Sequence, residues 1–364
     1  MAHAPDGPVI TEMAVASPYG LGETAFTEGV LAGRPAAVPL DRRVWPVPHR
    51  MAGLIPGFDI AGALGPKGTR SMDRLTGIAV TTAGLLLDRC GAPLADDPEG
   101  TGLVLGTPGS VQSVMAFTRD ALSGQKPFHV NPAHFPNTVL NHPTGRSAIW
   151  HGLKGPNVTV SGGTASGLLA LTYASRLLRA GHASALLCGA ADEFSVQRAH
   201  LENAVTAGAD ESLGEGATLF LLESASNARR GGRTPRAELL GCRFRVVSDP
   251  ELADKALALC VQDLLRDTGV TADDIALAVP TAAPGFLGEQ ETTALDEVLG
   301  TTDRVELRPL LGDVGAASTA LQSAVPLALV RSRPRYSGRP ALVTTSDRSG
   351  TVACALIRPT EGHS

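Results

Sequence analysis

Charged residues, aromatic residues and cysteine are all scarce in this chain of 364 residues. Charged side chains make up 18% of the chain and aromatic side chains 4%, whereas 43% of the residues are hydrophobic. The net charge is −5 and no segment carries a run of five or six like charges, so the chain lacks the basic footprint of a nucleic-acid-binding protein. A chain of this length can bury a large core, and its low charge suits either a covered subunit interface or a large compact monomer.

Metal-binding motifs and membrane-length apolar segments are also missing. The five cysteines are scattered, with neither a Cys-x-x-Cys motif nor a Cys/His cluster at metal-ligand spacing. We therefore predict no metal site and no bound cofactor. No apolar stretch approaches the ~20 residues that span a bilayer, and the opening Met-Ala-His-Ala-Pro-Asp-Gly-Pro lacks the basic and apolar segments of a secretory signal. We expect a reduced, soluble, cytoplasmic protein that binds neither membrane nor nucleic acid.

Patterns typical of strands alternate along the chain with patterns typical of helices. Strands are predicted at 8–16, 102–107, 158–160, 184–189, 275–279, 341–343 and 352–357. Helices are predicted at 165–180, 251–267, 289–299 and 316–330, and another begins near Ser71 or Asp73 and stops before Gly91. The alternation predicts a mainly parallel sheet covered on both faces. Its near-repetition predicts two similar halves joined around residues 229–235.

Five short segments stand in a characteristic order along the chain. They are the opening 9–20, Phe-Pro-Asn-Thr-Val-Leu-Asn at 135–141, Gly-Leu-Lys-Gly-Pro at 152–156, Gly-Thr-Ala-Ser-Gly at 163–167, and Leu-Gly-Glu-Gly-Ala at 213–217 followed by Leu-Glu. In this order and spacing they resemble the β-ketoacyl synthase family. The resemblance implies an α/β, thiolase-like fold whose duplicated halves form a five-layer α-β-α-β-α arrangement. Residues 1–233 would form the N-terminal half with an elbow at Thr164, residues 234–364 the C-terminal half, and both together one compact unit.

The family's condensing chemistry needs a thiolate at a sharp strand-to-helix elbow and two histidines. By the resemblance, Thr164 stands at the elbow cysteine, and its hydroxyl is a poor nucleophile without a neighbouring base. The first histidine corresponds to Pro280, which lies eleven residues before Glu291, and the second corresponds to Asp313. The resemblance therefore implies that no catalytic residue remains at these three positions.

The surroundings of the family's active site also differ in this chain. Arg308 replaces a lysine five residues before the second histidine position. The family has a glycine-rich gate that contains aromatic residues. In its place this chain has Ser-Asp-Arg-Ser-Gly at 346–350, which includes Ser346 and Arg348. Arg308 and Asp313 either pair in the vacated pocket, with Glu291 as a possible third member, or each faces solvent at its mouth. A buried version requires every charge to be satisfied.

The segment 109–118 follows the strand predicted at 102–107. By resemblance it contains the helix that lines the acyl tunnel across a subunit interface. The residues predicted to gate the tunnel are Gln112, Met115, Phe117 and Thr118. The alternative is that they belong to an ordinary core.

The combined loss of the nucleophile, both histidines and the gate resembles the chain length factor, the ketosynthase-like β subunit of type II polyketide synthases. This resemblance implies a heterodimer with a catalytic ketosynthase and contact with an acyl carrier protein mainly through that partner. Two other functions stay open. One is an acyltransferase or malonyl decarboxylase that uses Thr164 as acyl acceptor, and the other is a self-pairing scaffold that handles no acyl chain.

Overall fold

The computed structural model describes residues 6–91, 94, 97–123, 126–206 and 211–360. The strands are β1 (Pro8–Ser17), β2 (Gly20–Leu21), β3 (Val38–Pro39), β4 (Met51–Gly53), β5 (Thr101–Gly106), β6 (Asn157–Val160), β7 (Ala185–Asp192), β8 (Leu213–Gly214), β9 (Gly216–Ser224), β10 (Ala237–Val246), β11 (Leu277–Val279), β12 (Ala341–Ser346) and β13 (Thr351–Pro359). The α-helices are α1 (Glu23–Ala32), α2 (Ile60–Leu64), α3 (Arg74–Cys90), α4 (Val111–Ser123), α5 (His142–His151), α6 (Ser166–Arg179), α7 (Val196–Val205), α8 (Ala225–Arg230), α9 (Ala253–Thr268), α10 (Phe286–Leu299), α11 (Arg308–Leu311) and α12 (Ser318–Leu329). Short 3₁₀ helices include Pro132–Thr138, Gly163–Ala165 and Gly315–Ala317.

A ten-stranded sheet runs through the whole molecule. Its order is β11-β12-β13-β10-β1-β9-β7-β5-β6, with β2 paired to β1, and a separate small sheet has the order β3-β4-β8. In the first half the order is β6-β5-β7-β9-β1. In the second half β11, β12, β13 and β10 correspond to β5, β7, β9 and β1. The position of β6 is taken there by a single parallel bridge from Ala278 to Arg304. The repetition of one strand order shows the duplicated halves. The two halves meet at the antiparallel pair of β1 and β10.

The prediction of a mainly parallel sheet is wrong in one respect. The pairs β5–β6, β5–β7 and β11–β12 are parallel, but β9 and β13 each run antiparallel to both neighbours. In the second half, β12 returns directly into β13 through the tight turn at 347–350, and a connection this short requires antiparallel strands. The sheet is therefore mixed.

Three buried clusters define the layers of the fold. Helix α3 packs on the outer face of the first half through side chains such as Leu75 and Ile78, both fully buried. Helices α9 and α10 cover the outer face of the second half. Helices α6 and α12 lie between the two halves and contact strands from both, and Leu168 and Leu321 are fully buried there. This arrangement confirms the predicted thiolase-like, five-layer α-β-α-β-α fold, while the boundary at residues 233 and 234 stays a prediction.

Helix α3 begins at a side-chain cap, whereas α12 is buried along its whole length. Asp73, and not Ser71, caps α3, because Oδ1 of Asp73 accepts a hydrogen bond from the N–H of Thr76 at 2.8 Å. Every residue of α12 is buried, and Pro326 lies inside this helix. Within the described part of the chain, no helix combines the length and apolar character needed to cross a membrane.

Candidate functional site

The elbow lies where β6 leads through the 3₁₀ turn Gly163–Ala165 into α6. Gly163 has φ +55, and a Cβ added there would lie 2.3 Å from Oδ2 of Asp347, so a side chain at this turn would be strained and would displace that carboxylate. Ser166 is fully buried. Its hydroxyl donates to the carbonyl of Gly163 at 2.7 Å and accepts from the N–H of Gly162 at 3.0 Å. Ser166 therefore stabilises the turn through these two hydrogen bonds, which is a structural role.

Thr164 occupies the tip of the elbow, half-buried at the N-terminus of α6. Its hydroxyl forms a 2.7 Å hydrogen bond with the hydroxyl of Thr345, which is fully buried on β12. The carbonyl of Thr164 accepts a hydrogen bond from Oγ1 of Thr319 at 2.8 Å. The partner of the Thr164 hydroxyl is thus a second neutral hydroxyl and not a base.

A cavity of about 390 Å³ opens beside Thr164. It brings together five of the residues singled out from the sequence, namely Thr164, Arg308, Asp313, Ser346 and Arg348. Further charged residues line it, namely Asp192, Arg198 and Glu202, which the sequence analysis missed, and Asp347 of the segment 346–350. No histidine of the described residues lines it, and no group of His, Cys, Asp and Glu among them could hold a metal ion.

Asp313 is the centre of a buried network of charges. Its Oδ2 lies 2.9 Å from Nη2 of Arg308, and its Oδ1 lies 3.9 Å from Nη2 of Arg198. Arg308 also binds Glu211 through Nε and Nη2, and Arg198 also faces Asp192 at 3.9 Å. Burial opposes ionisation of Asp313, but the two arginines outweigh it and hold its pKa below the ordinary value. Asp313 is therefore an ionised, paired carboxylate, which cannot replace a neutral imidazole.

Glu291 does not join this network and does not line the cavity. It is 2% exposed and accepts hydrogen bonds from the N–H of Thr281 at 3.1 Å, the N–H of Ala282 at 3.0 Å and the hydroxyl of Thr344 at 2.7 Å. Of the two arrangements considered for Arg308 and Asp313, the structure has the pair, and Glu211 takes the place suggested for Glu291. The carboxylate of Glu291 instead holds the loop 280–284, in which Ala282 has the left-handed φ of 52.

Pro280 lies apart from the main cavity. It borders a separate space of about 10 Å³, together with Thr281, Leu307 and Gln322. Neither its ring nor the neighbouring side chains of Thr281 and Leu307 can exchange a proton near neutral pH. The wall of the main cavity beside this loop is formed by Ala283, Pro284 and Leu287.

The segment 346–350 forms a closed turn over the elbow. Asp347 Oδ1 accepts hydrogen bonds from the N–H of Ser349 at 2.9 Å and of Thr351 at 3.2 Å. Arg348 ties the turn to α7 through Glu202, with Nη1 and Oε2 3.2 Å apart. Oγ of Ser346 and Oδ2 of Asp347 are buried without a hydrogen-bond partner. The gate position is therefore occupied by a polar turn whose carboxylate reaches the elbow glycine.

Helix α4 carries the four residues predicted to gate a tunnel. Gln112, Met115 and Thr118 are exposed and Phe117 is half-buried, with its ring centroid 5.8 Å from that of Phe135. No residue of α4 is buried in this chain, so the ordinary-core alternative does not hold. Val111 lines the cavity at Thr164, whereas Met115 and Thr118 border an open groove further along the helix. Gating by these residues stays a prediction.

The duplicated five-layer fold, with an elbow that leads into a buried central helix, defines this molecule as a thiolase-like scaffold of the condensing-enzyme type. Residues 8–228 match the family model described as the N-terminal domain of β-ketoacyl synthase. The chain thus belongs to the β-ketoacyl synthase family.

Solved structures and characterised relatives agree with this assignment. The structure described as the ishigamide ketosynthase/chain length factor is 42% identical, with a TM-score of 0.91, and the match covers 97% of this chain and 99% of that chain. The tetracenomycin polyketide synthase ketoacyl synthase alpha subunit of Streptomyces glaucescens is 31% identical over 67% of this chain and 63% of its own length. The 3-oxoacyl-[acyl-carrier-protein] synthase 2 of Vibrio cholerae is 26% identical over 73% of this chain and 70% of its own length.

Proposed function

We propose that this chain is a non-catalytic chain length factor. It would pair with a catalytic ketosynthase and shape the acyl tunnel in type II polyketide biosynthesis. The observation that carries the proposal is the elbow itself, where the Thr164 hydroxyl is bonded to the Thr345 hydroxyl and no histidine of the described residues lines the cavity. The 42% identity to the ishigamide ketosynthase/chain length factor supports the same function.

The electrostatics of the elbow argue against an acyl-enzyme at Thr164. A threonine hydroxyl needs an adjacent base to become a nucleophile, and Thr345 cannot take its proton. Attack would also create an oxyanion at the elbow, where Asp347 Oδ2 already reaches Gly163. A carboxylate at this place repels developing negative charge, whereas catalysis requires donors there. The acyltransferase and decarboxylase alternatives therefore have no base bonded to the Thr164 hydroxyl and face a carboxylate where they need hydrogen-bond donors.

The exposed surface supports a partner subunit. The sheet ends at β6, whose outer edge has no paired strand in the described part of the chain. Large apolar side chains lie exposed on the part of the chain between α4 and β6, with Phe128 at 74%, Phe135 at 56% and Ile149 at 75%. A free strand edge flanked by apolar residues is a surface that proteins normally cover. We infer that the ketosynthase covers it through an interface of roughly 2,000 Å² or more.

The halves at 1–233 and 234–364 would act as one unit in this complex. The acyl carrier protein would deliver its chain mainly to the ketosynthase, since only that subunit supplies a thiolate. The chain length factor contributes the shape of the wall beside α4.

Co-expression tests the proposal against its alternatives. The chain is co-expressed with a ketosynthase that carries the elbow cysteine and both histidines, and the complex is purified and supplied with acyl and malonyl carrier proteins. We expect a stable heterodimer and product formation that Thr164→Ala leaves intact. Thr172→Ala is the matched control, because Thr172 lies on the same helix, does not line the cavity and donates its hydroxyl to the carbonyl of Leu168.

Three results would contradict the proposal. A homodimer that excludes every ketosynthase would favour a self-pairing scaffold. An acyl adduct on Thr164, found by mass spectrometry and absent from Thr164→Ala, would favour the acyltransferase. Carbon–carbon bond formation by the chain alone would show a catalytic subunit.

A further inference from the structure

Helix α4 has little apolar anchoring within this chain. None of its residues is buried, and Val114, Met115 and Leu122 are 42%, 47% and 79% exposed. Phe117 contacts Phe135 at its half-buried face. Since apolar burial contributes in proportion to the area removed from water, it does little to hold this helix in one position.

The start of α4 is held instead by hydroxyl groups bonded to carboxylates. Ser110 is 2% exposed. Its hydroxyl donates to Oε1 of Glu193 at 2.9 Å and accepts from the N–H of Ser113 at 3.1 Å, as an N-cap residue does. Ser113 in turn donates its own hydroxyl to Oδ2 of Asp73 at 2.8 Å.

The same two carboxylates also hold the first turn of α3. Asp73 Oδ1 accepts from the N–H of Thr76 at 2.8 Å, and Glu193 Oε2 accepts from the N–H of Leu75 at 2.9 Å. Helix α3 is firmly packed, since Leu75, Thr76 and the next turn are fully buried. The four side chains of Asp73, Ser110, Ser113 and Glu193, the α3–α4 clasp, therefore tie an exposed helix to a buried one.

The clasp holds the end of α4 that borders the cavity at Thr164, and the open groove lies further along the helix. Val111, next to Ser110 in the chain, lines the cavity, whereas Met115 and Thr118 border the groove. A rotation of α4 about its first turn would therefore move the wall of the cavity and the wall of the groove together.

We propose that the α3–α4 clasp sets the position of α4 and thereby the length of the acyl chain that the paired subunits accommodate. This inference rests on the proposed function. The four members act through α4 and are positioning residues.

The double variant Ser110→Ala, Ser113→Ala removes both hydroxyls and leaves the apolar surface of α4 unchanged. Losing these hydrogen bonds should raise hydrogen-exchange rates of the amides at 111–123 by about tenfold in the purified chain. In the complex with a ketosynthase, the distribution of product lengths should shift. Thr293→Ala is the matched control, because it removes an exposed hydroxyl that bonds only to the Glu289 carbonyl of its own helix.

Glu193→Gln provides an independent variant that keeps the shape of the side chain. Its control is Glu223→Gln, which changes another fully buried carboxylate, on β9. We expect Glu193→Gln to speed exchange at 111–123 and to shift product lengths, and Glu223→Gln to leave exchange at 111–123 unchanged.

Faster exchange together with altered product lengths would support the inference. Unchanged exchange would overturn the clasp, and faster exchange with unaltered product lengths would overturn its role in chain length. A wild-type complex that makes no product would overturn the proposed function and the chain-length role together. The exchange measurement needs only the single chain and reports on the clasp in every case.

Discussion

The charges around Asp313 should contribute strongly to the stability of the fold, and Asp313→Asn tests this. Asp313 is 9% exposed and lies between Arg308 and Arg198. Removing one member of a buried ion pair costs about 3–5 kcal/mol, because the remaining charge is left uncompensated. Arg308 keeps Glu211 and Arg198 keeps Asp192, so we expect the lower end, about 3 kcal/mol of the free energy of unfolding.

This contribution should depend on pH with a defined sign. Burial opposes the charge of Asp313, but Arg308 and Arg198 lower its pKa below the ordinary value of about 3.9 in the folded protein. A lowered pKa means that the unfolded chain binds the proton more readily than the folded one. The stabilisation is therefore fully present above about pH 4 and is lost as the pH falls through the folded pKa. The difference between wild type and Asp313→Asn should shrink in that acidic range.

Urea unfolding of the purified chain, followed by circular dichroism at pH 7, measures the difference directly. Asp267→Asn is the control, because it removes a surface pair with Arg243 in which both side chains are more than 40% exposed. Exposed pairs of this kind contribute little, so the control should match wild type within error. A loss below about 1 kcal/mol for Asp313→Asn would refute the reasoning that the network stabilises the fold.

Three further predictions address the loop 280–284, the clasp and the tunnel. Ala282→Gly should raise the free energy of unfolding by about 1 kcal/mol in urea, because Ala282 has φ 52 and glycine adopts this conformation without strain; an unchanged or lower value would contradict the assigned strain. Burial, with the charge of Asp73, raises the pKa of Glu193 from 4.5 to about 8. A raised pKa in the folded protein gives stability that is present at low pH and lost as the pH rises toward the folded pKa. The free energy of unfolding of the wild type should therefore fall between about pH 4.5 and 8, and Glu193→Gln should make this fall shallower. An equal dependence on pH in both proteins would contradict the prediction. Phe117 lies on the exposed helix α4, with its ring against that of Phe135, and a larger side chain at this position would leave less room for the acyl chain. Phe117→Ala should therefore lengthen the products of the ketosynthase complex and Phe117→Trp should shorten them, as measured by mass spectrometry. Identical product lengths would show that Phe117 is not a gating residue.

Local sequence signals accounted for many elements of the fold, although strands β9 and β10 were not predicted. The helix predicted at 165–180 is α6 at Ser166–Arg179, and the paired strands predicted at 341–343 and 352–357 are β12 and β13. The absence of a thiol or imidazole at Thr164, Pro280 and Asp313 depends only on residue identity. A signal for part of the network was also present, because Asp192 ends the apolar strand β7 and Glu193 directly follows it. Charged residues at such a strand end are buried only when they are paired.

The sequence by itself determined the family and the layered α/β fold, and it showed that Thr164, Pro280 and Asp313 carry neither thiol nor imidazole, because strand and helix periods and residue types are local properties of the chain. Tertiary structure alone decided which charges pair and which helix stays uncovered. Arg308 and Glu211 are 97 positions apart, and the sequence analysis suggested Glu291 as a partner of Arg308 and Asp313. In the structure, the carboxylate of Glu291 instead accepts hydrogen bonds from the loop 280–284. Likewise, the apolar residues of α4 have an ordinary amphipathic pattern, and only the packing of the finished fold leaves them exposed. Pairing and exposure depend on distances between remote segments, which no local pattern encodes.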